Sequence, residues 1–210
     1  MKHKIAGVYG ILPADLDTET LLVKAEDALK GGLQTLQFRD KKSGYKRAVK
    51  RALALRELTQ RYNAKLLIND SIQLAQAVHA DGVHLGRDDV ASLTSIRDEV
   101  GEAMVVGITC RADAVFAKLS LEHGADYVSF GAVFGSKTKP EVPILGLPRL
   151  NKARQMFPDA NICAIGGITV ENIASVKHAG ATSVAVISGL FATKNIEQRA
   201  GELIEAWNKA

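Results

Sequence analysis

Apolar positions along the chain follow two alternating rhythms. Short runs such as Leu66-Leu67-Ile68, Val105-Val106 and Val184 to Ile187 are apolar without interruption, the pattern of strands covered on both faces of a sheet. Between them lie longer stretches in which apolar residues recur three and four apart, the stripe of an amphipathic helix. A repeated phrase marks the passage from helix to strand: Lys30-Gly31-Gly32-Leu33, His79-Ala80-Asp81-Gly82, His123-Gly124-Ala125-Asp126 and His178-Ala179-Gly180-Ala181 each precede an apolar run. Each reads as a helix tail, a small-residue cap and the start of a strand. The pattern predicts strands near 5–11, 34–39, 65–69, 82–85, 104–108, 127–131, 161–165 and 183–187. It predicts helices near 18–30, 43–62, 71–79, 91–100, 112–123, 147–157, 170–178 and 195–208.

Eight strand–helix units in succession make an α/β chain. Their simplest closed form is a parallel eight-stranded (β/α)8 barrel, a TIM barrel, with residues 1–210 as one domain. The alternative, a doubly wound open sheet, finds no G-x-G-x-x-G after the first strand. Lys+Arg 27 against Asp+Glu 23 leaves a charge of +4. That excess suits an anionic small molecule and is too small and dispersed for a nucleic-acid partner. From Lys46 onward the basic residues Lys46, Arg47, Lys50 and Arg51 keep a helical rhythm and read as a solvated helix face. Cys110 and Cys163 show no metal-ligand spacing and sit in or beside apolar runs, which makes packing their role. The apolar run from Ile5 to Leu12 is too short for a signal peptide, and no stretch approaches the ~18 apolar residues of a membrane span. The chain therefore reads as cytoplasmic, with no membrane partner and with homo-oligomerisation left open.

Barrels of this kind keep their active sites at the C-terminal ends of the strands and use the opposite ends for stability. By that rule Asp81 and Asp126, which precede their strands, are turn and capping groups. The strand exits carry different residues. Gln37, Arg39 and Lys41 are spaced by two, so an extended segment presents all three on one face. An amide, a planar guanidinium and an ammonium form a receptor for a phosphate or diphosphate; the alternative is an exposed edge strand with ordinary surface charges. Phe38 and Asp40 belong to the same candidate binding stretch. Strand three ends in Asn69-Asp70, strand four runs out through Arg87-Asp88-Asp89, and strand five leads into Thr109. Asp70 and Asp89, from adjacent strands, could share a hard cation such as Mg2+. Each could equally cap a helix, and spacing does not separate Asp88 from Asp89.

Strand six opens onto Gly135-Ser136-Lys137-Thr138-Lys139. This stretch fails the spacing of a Walker loop and reads instead as hydroxyls and a lysine that close over an anion. Gly166-Gly167 and Ile187-Ser188-Gly189 match the phosphate cradle that barrels place after strands seven and eight, with simple turn chemistry as the alternative. His79, His123 and His178 end helices, and His84 inside strand four reads as a packed core residue. No Ser-His-Asp or Cys-His arrangement is present, so the chemistry must rest on electrostatics and metal.

On these residues the chain resembles the thiamine phosphate synthase family. The matching motifs, in order, are Gln37-x-Arg39-x-Lys41, Ile68-Asn69-Asp70, Ala80 to Gly86 with Asp89, Ser136-x-Thr138-Lys139, Ile165-Gly166-Gly167-Ile168 and Val186-Ile187-Ser188. The resemblance implies a Mg2+-dependent enzyme that joins hydroxymethylpyrimidine diphosphate to a (carboxy)thiazole phosphate, releasing diphosphate. It implies that Gln37, Arg39, Lys41, Asn69 and Lys139 hold the pyrimidine diphosphate, with Arg39 and Lys139 stabilising the departing group. Thr109 would add a diphosphate contact, and Asp70 and Asp89 would bind Mg2+. Ser136 and Thr138 would face the thiazole substrate, with Gly167, Ile187 and Ser188 on its phosphate. Arg87 stands where the family usually has Gln, Thr109 where it often has Ser, and Ser136 replaces a common Thr. Two rivals share the barrel. A related thiazole tautomerase uses a histidine after strand six, where this chain has Gly131-Ala132-Val133-Phe134. A non-catalytic phosphate-ligand sensor would have lost the aspartates or Lys139.

Overall fold

The computed structural model describes residues 5–87, 96–135 and 143–210. Eight strands, β1 (Gly7–Ile11), β2 (Thr35–Phe38), β3 (Lys65–Asn69), β4 (Gly82–Leu85), β5 (Val105–Arg111), β6 (Tyr127–Gly131), β7 (Ile162–Ile165) and β8 (Ser183–Val186), form one sheet. All neighbours pair in parallel, and β8 returns to β1 with Gly7 opposite Ser183 and Gly10 opposite Val186, so the sheet is a closed barrel. The strands alternate with α1 (Thr18–Lys30), α2 (Tyr45–Arg61), α3 (Ile72–Ala77), α4 (Ile96–Val100), α5 (Ala114–Glu122), α6 (Gly146–Met156) and α7 (Ile173–His178). After β8 come a one-turn helix, α8 (Ser188–Phe191), and α9 (Ile196–Lys209). The first half of the helix expected at 91–100 lies outside the described residues. No described helix is long and apolar enough to cross a membrane.

Strand alternation divides the apolar residues into two layers. The outward ones, among them Leu36, Phe38, Leu66, Ile68, Val83, Val106 and Val128, pack under the helices. The inward ones, Tyr9, Ile11, Leu67, Val105, Tyr127, Cys163 and Ala185, fill the barrel. Tyr127 fits only because Gly107 faces it: a Cβ there would lie 2.0 Å from the Tyr127 Cζ. Tyr9 meets Tyr127 edge-on, with ring centroids 6.4 Å apart. Two tyrosines thus occupy the barrel axis and leave the C-terminal mouth open.

At the other end, Asp81 and Asp126 perform the same task at two places. The Asp81 carboxylate accepts the Leu66 N–H at 2.7 Å while the Asp81 N–H donates to the Leu66 carbonyl, and Arg56 of α2 pairs with the same carboxylate at 2.6 Å. The Asp126 carboxylate accepts the Val106 N–H at 2.8 Å, its own N–H donates back to the Val106 carbonyl, and Arg97 of α4 completes the pair. Arg97 also donates to the Gly124 carbonyl, and Arg154 of α6 donates to the Gly180 carbonyl, each at 2.8 Å. An arginine from each even-numbered helix of the first six therefore ties down the small-residue phrase that starts a later strand.

The basic face of α2 is not solvated throughout. Arg51 is buried: its guanidinium pairs with Asp40, donates to the Leu16 carbonyl at 2.7 Å and lies 5.6 Å from the Phe38 ring centroid. The helical rhythm is right, but Asp40 supplies a partner that draws this one cation inward.

Removing the carboxylate of Asp126 strands a mostly buried guanidinium and a buried N–H. Asp126→Ala is therefore expected to lower stability by about 3 kcal/mol in urea unfolding. Glu202→Ala, at a half-exposed ion pair with Arg199, is expected to leave the midpoint unchanged. Equal effects from the two substitutions would contradict the stapling role of Asp126.

Candidate active site

The site begins with the alternation in β2. Leu36 and Phe38 face the helices, so Gln37 faces the barrel, where it is 1% exposed. Its side-chain Nε2 is buried without a hydrogen-bond partner among the described residues. An unpaired buried amide costs about 1–3 kcal/mol unless something accepts from it, and this one lines the cavity at the mouth of the barrel. Arg39, two residues on, lines the same cavity from the rim. Lys41, two further, reaches Asp70 at 2.8 Å. Asp70 takes a left-handed conformation with φ 65° and donates its N–H to the His84 carbonyl at 2.8 Å. The cap of α3 is Ser71, whose hydroxyl accepts the Leu74 N–H. The Asp70 carboxylate is thus not used as a helix cap and holds a cation instead.

The cavity measures about 190 Å³. Gln37, Arg39, Asn69 and Thr109 line it from β2, β3 and β5 and their exits; Gly167, Ile187 and Ser188 line it from the exits of β7 and β8. The glycines are demanded first by packing. Gly167 has φ 64°, and a Cβ on it would lie 2.5 Å from the Gly135 carbonyl oxygen; on Gly189 a Cβ would lie 2.2 Å from that of Ile168. The exits of β6, β7 and β8 close on one another at these points, and Asn172 clamps the β7 exit through the Gly167 carbonyl and the Thr169 N–H. The N–H groups of Ser188 and Gly189 open α8, where no intrahelical acceptor exists for them.

Phe38 and Asp40 are turned away from the cavity. Phe38 is 2% exposed, in the layer beneath Arg51. Asp40 accepts the Lys42 and Ser43 N–H groups and the Arg51 guanidinium, and so shapes the loop after β2. Burial alone would raise its carboxyl, but the Ser43 hydroxyl and N–H and the Arg51 guanidinium outweigh that and hold it below the usual carboxylate range. Asp88, Asp89, Ser136, Lys137, Thr138 and Lys139 lie outside the described residues. Among the described residues no three His, Cys, Asp or Glu side chains gather as a metal cluster. Both cysteines are buried, and burial pushes Cys110 up to about 12 and Cys163 up to about 11, which removes them as nucleophiles.

Arg111 and His84 are lining residues to which the sequence pattern assigned no role in the site. β5 runs past Thr109 to Arg111, with a register shift against β6, and Arg111 lines the cavity in a left-handed conformation with φ 54°. The spacing of two that groups Gln37, Arg39 and Lys41 also continues from Thr109 to Arg111. His84 is both core and site. It is buried, lines the cavity, and has Nδ1 2.8 Å from the Tyr127 hydroxyl and Nε2 2.7 Å from the Thr109 hydroxyl.

The chain matches the family model described as thiamine monophosphate synthase over residues 8–190, a span from β1 to α8. A thiamine-phosphate synthase of Saccharophagus degradans is 45% identical over 202 residues, covering 95% of this chain and 92% of the relative. One from Methylobacillus flagellatus is 41% identical over 204 residues, covering 97% and 96%. The solved thiamine phosphate pyrophosphorylase from Pyrococcus furiosus superposes with a TM-score of 0.84 at 26% identity, over 97% of this chain and 96% of that one. An orotidine 5'-phosphate decarboxylase from Pyrococcus horikoshii, at 13% identity and a TM-score of 0.71, shares the fold alone.

Burial lowers His84 to about 4, with Asp70 pulling weakly the other way. The unfolded chain binds this proton near pH 6.5 while the folded one does not, so His84 makes stability fall as pH drops from 6.5 towards 4. At about 1.4 kcal/mol per pH unit, the loss between pH 6.5 and 5 reaches about 2 kcal/mol. Urea midpoints across that window are expected to show the slope in the natural protein and a flatter one in His84→Asn. Identical slopes would show that the imidazole is not held neutral.

Proposed function

The chain belongs to the thiamine monophosphate synthase family and is a transferase of thiamine biosynthesis, and from that premise we propose the reaction of its cavity. It joins hydroxymethylpyrimidine diphosphate to a (carboxy)thiazole phosphate, giving thiamine phosphate and diphosphate, with CO2 lost from a carboxylated partner. The observation that carries the reading is that one cavity is lined both by Gln37, Arg39, Asn69 and Thr109 and by Gly167, Ile187 and Ser188. Two anion-recognising rims facing one space suit two anionic substrates that react with each other.

In the proposed reaction the bond from the pyrimidine methylene carbon to the diphosphate oxygen breaks heterolytically, and its electron pair leaves with diphosphate. The lone pair of the thiazole nitrogen then forms the new carbon–nitrogen bond. Arg39 grips the departing diphosphate through its planar fork, Thr109 contributes a hydroxyl, and Lys139 is assigned the second catalytic charge. The Gln37 Nε2, without a partner among the described residues, donates to the pyrimidine-bearing substrate. Gly167, Ile187 and Ser188 hold the thiazole phosphate, and Ser136, Lys137 and Thr138 are assigned to substrate binding on the family resemblance. Ile11, Ile165, Ile168 and Ile187 line the cavity and keep water from the cationic carbon before capture.

Asp70, already engaged with a cation and free of capping duty, fits a Mg2+ site completed by Asp89 and substrate oxygens. Mg2+ bound there supplies charge neutralisation to the leaving diphosphate. Lys41, which pairs with Asp70 in the folded chain, would then be free to turn to the phosphate.

The reading is tested by supplying purified protein with both substrates, with and without Mg2+, and detecting thiamine phosphate by mass spectrometry. Product that depends on Mg2+ is expected. No product while both ligands bind overturns the reading, and binding of the thiazole phosphate alone would favour a tautomerase. Arg39→Ala is expected to keep its circular dichroism spectrum and lose at least about 100-fold in turnover, the scale of one lost transition-state donor. Near-normal turnover would remove Arg39 from the leaving-group site.

A further inference from the structure

We propose that His84 is a positioning residue that fixes the direction of the Thr109 hydroxyl, so that Thr109 presents its proton, and not a lone pair, to the departing diphosphate. The inference rests on the transfer reaction proposed above and assigns a function to a residue that the sequence reads as core packing.

The geometry leaves two arrangements. A neutral imidazole carries one N–H and one acceptor nitrogen, and here both nitrogens have hydroxyl partners: Tyr127 at 2.8 Å on Nδ1 and Thr109 at 2.7 Å on Nε2. If Nδ1 carried the proton, it would donate to Tyr127, and the Tyr127 O–H would need another acceptor. Tyr127 is 0% exposed and its ring stacks on His84 with centroids 5.5 Å apart. Its oxygen is also hydrogen-bonded to Tyr9, a contact that favours the Tyr127 phenolate and disfavours that of Tyr9, so Tyr9 is the donor there; among the described residues that leaves His84 Nδ1 as the acceptor for the Tyr127 O–H. A buried donor without an acceptor is the costlier outcome.

In the other arrangement Tyr127 donates to Nδ1, Nε2–H donates to the Thr109 oxygen, and the Thr109 O–H is left for the cavity. Every donor then has an acceptor as soon as an anion is present. Burial pushes the Tyr127 phenol up and keeps it a donor, and an imidazolium, with a proton on both nitrogens, would take away the acceptor at Nδ1 just as the first arrangement does. A phosphate oxygen accepts only, so the second arrangement matches the ligand and the first opposes it. His84 also accepts the Asp70 N–H through its carbonyl. One residue therefore orients a diphosphate donor through its ring and anchors a candidate metal carboxylate through its backbone.

The test is a double-mutant cycle on turnover with both substrates and Mg2+, joined to a nitrogen-15 histidine spectrum of the natural protein. Thr109→Val is expected to lower kcat about tenfold, the loss of one hydrogen bond to a charged group, and Thr109→Ser to restore it. His84→Asn, too short to reach Thr109, is expected to lower kcat to the same extent, and the double variant no further. Losses that multiply to about 100-fold, or a His84→Asn enzyme with full kcat, overturn the inference. The spectrum, over five histidines, is expected to show His84 as the Nε2–H tautomer at neutral pH; an Nδ1–H tautomer or an imidazolium overturns it. Should His84→Asn fail to fold, the spectrum and His84→Gln, which keeps an amide donor towards Thr109, decide. If the natural protein makes no thiamine phosphate, the transfer reading fails, and the spectrum still tests the tautomer separately.

Discussion

Closure of the parallel sheet is the constraint on which the rest depends. Once β8 pairs with β1, inward positions have nowhere to point but the barrel axis, and period-two alternation chooses which residues those are. Along β5 the inward series is Val105, Gly107, Thr109 and Arg111; along β2 it is Thr35, Gln37 and Arg39. Each series passes from apolar or small to polar in the direction of the chain. Eight parallel strands therefore deliver their polar ends to one mouth, while Tyr9 and Tyr127 fill the axis below. The Asp81 and Asp126 staples act at the opposite end, where a carboxylate that bonds the neighbouring strand guards register.

Low dielectric gives this arrangement its chemical character. His84 is neutral because it is buried, Gln37 holds an amide without a partner, and Lys41 and Asp70 neutralise each other at the rim. The last two are states that an anion, or an anion with a cation, would improve. A site built this way is oriented before its ligands arrive, which is the form in which electrostatic groups act most strongly. The glycines at the β7 and β8 exits belong to the same economy of space: they let three loops meet, and the meeting leaves the first N–H groups of α8 free.

The strands were legible because two-sided burial writes itself as uninterrupted apolar runs, and the eight of them left few closed topologies. α8 was not, since four residues are too few to show a helical period. The shared face of Gln37 and Arg39 was legible from spacing, whereas Phe38 and Asp40, grouped with them as one stretch, fall on the opposite side of the same alternation, away from the cavity. Arg51 was hidden because helix periodicity locates a face and says nothing of an aspartate eleven residues upstream that pulls one cation inward. His84 was ambiguous for a physical reason: in a closed barrel, the upper layer of the core is also the floor of the site. Spacing could not separate metal ligand from cap at Asp70, and only the Ser71 cap and the Lys41 contact removed the cap.

In the proposed reaction, two separate anion rims serve one cavity. Calorimetry of each substrate separately, with Mg2+ present, against the natural protein and Arg39→Ala tests it most directly. Binding of the pyrimidine diphosphate is expected to weaken at least about tenfold, the loss of one charge-assisted contact, with binding of the thiazole phosphate unchanged. Equal weakening of both ligands, or of neither, would contradict it.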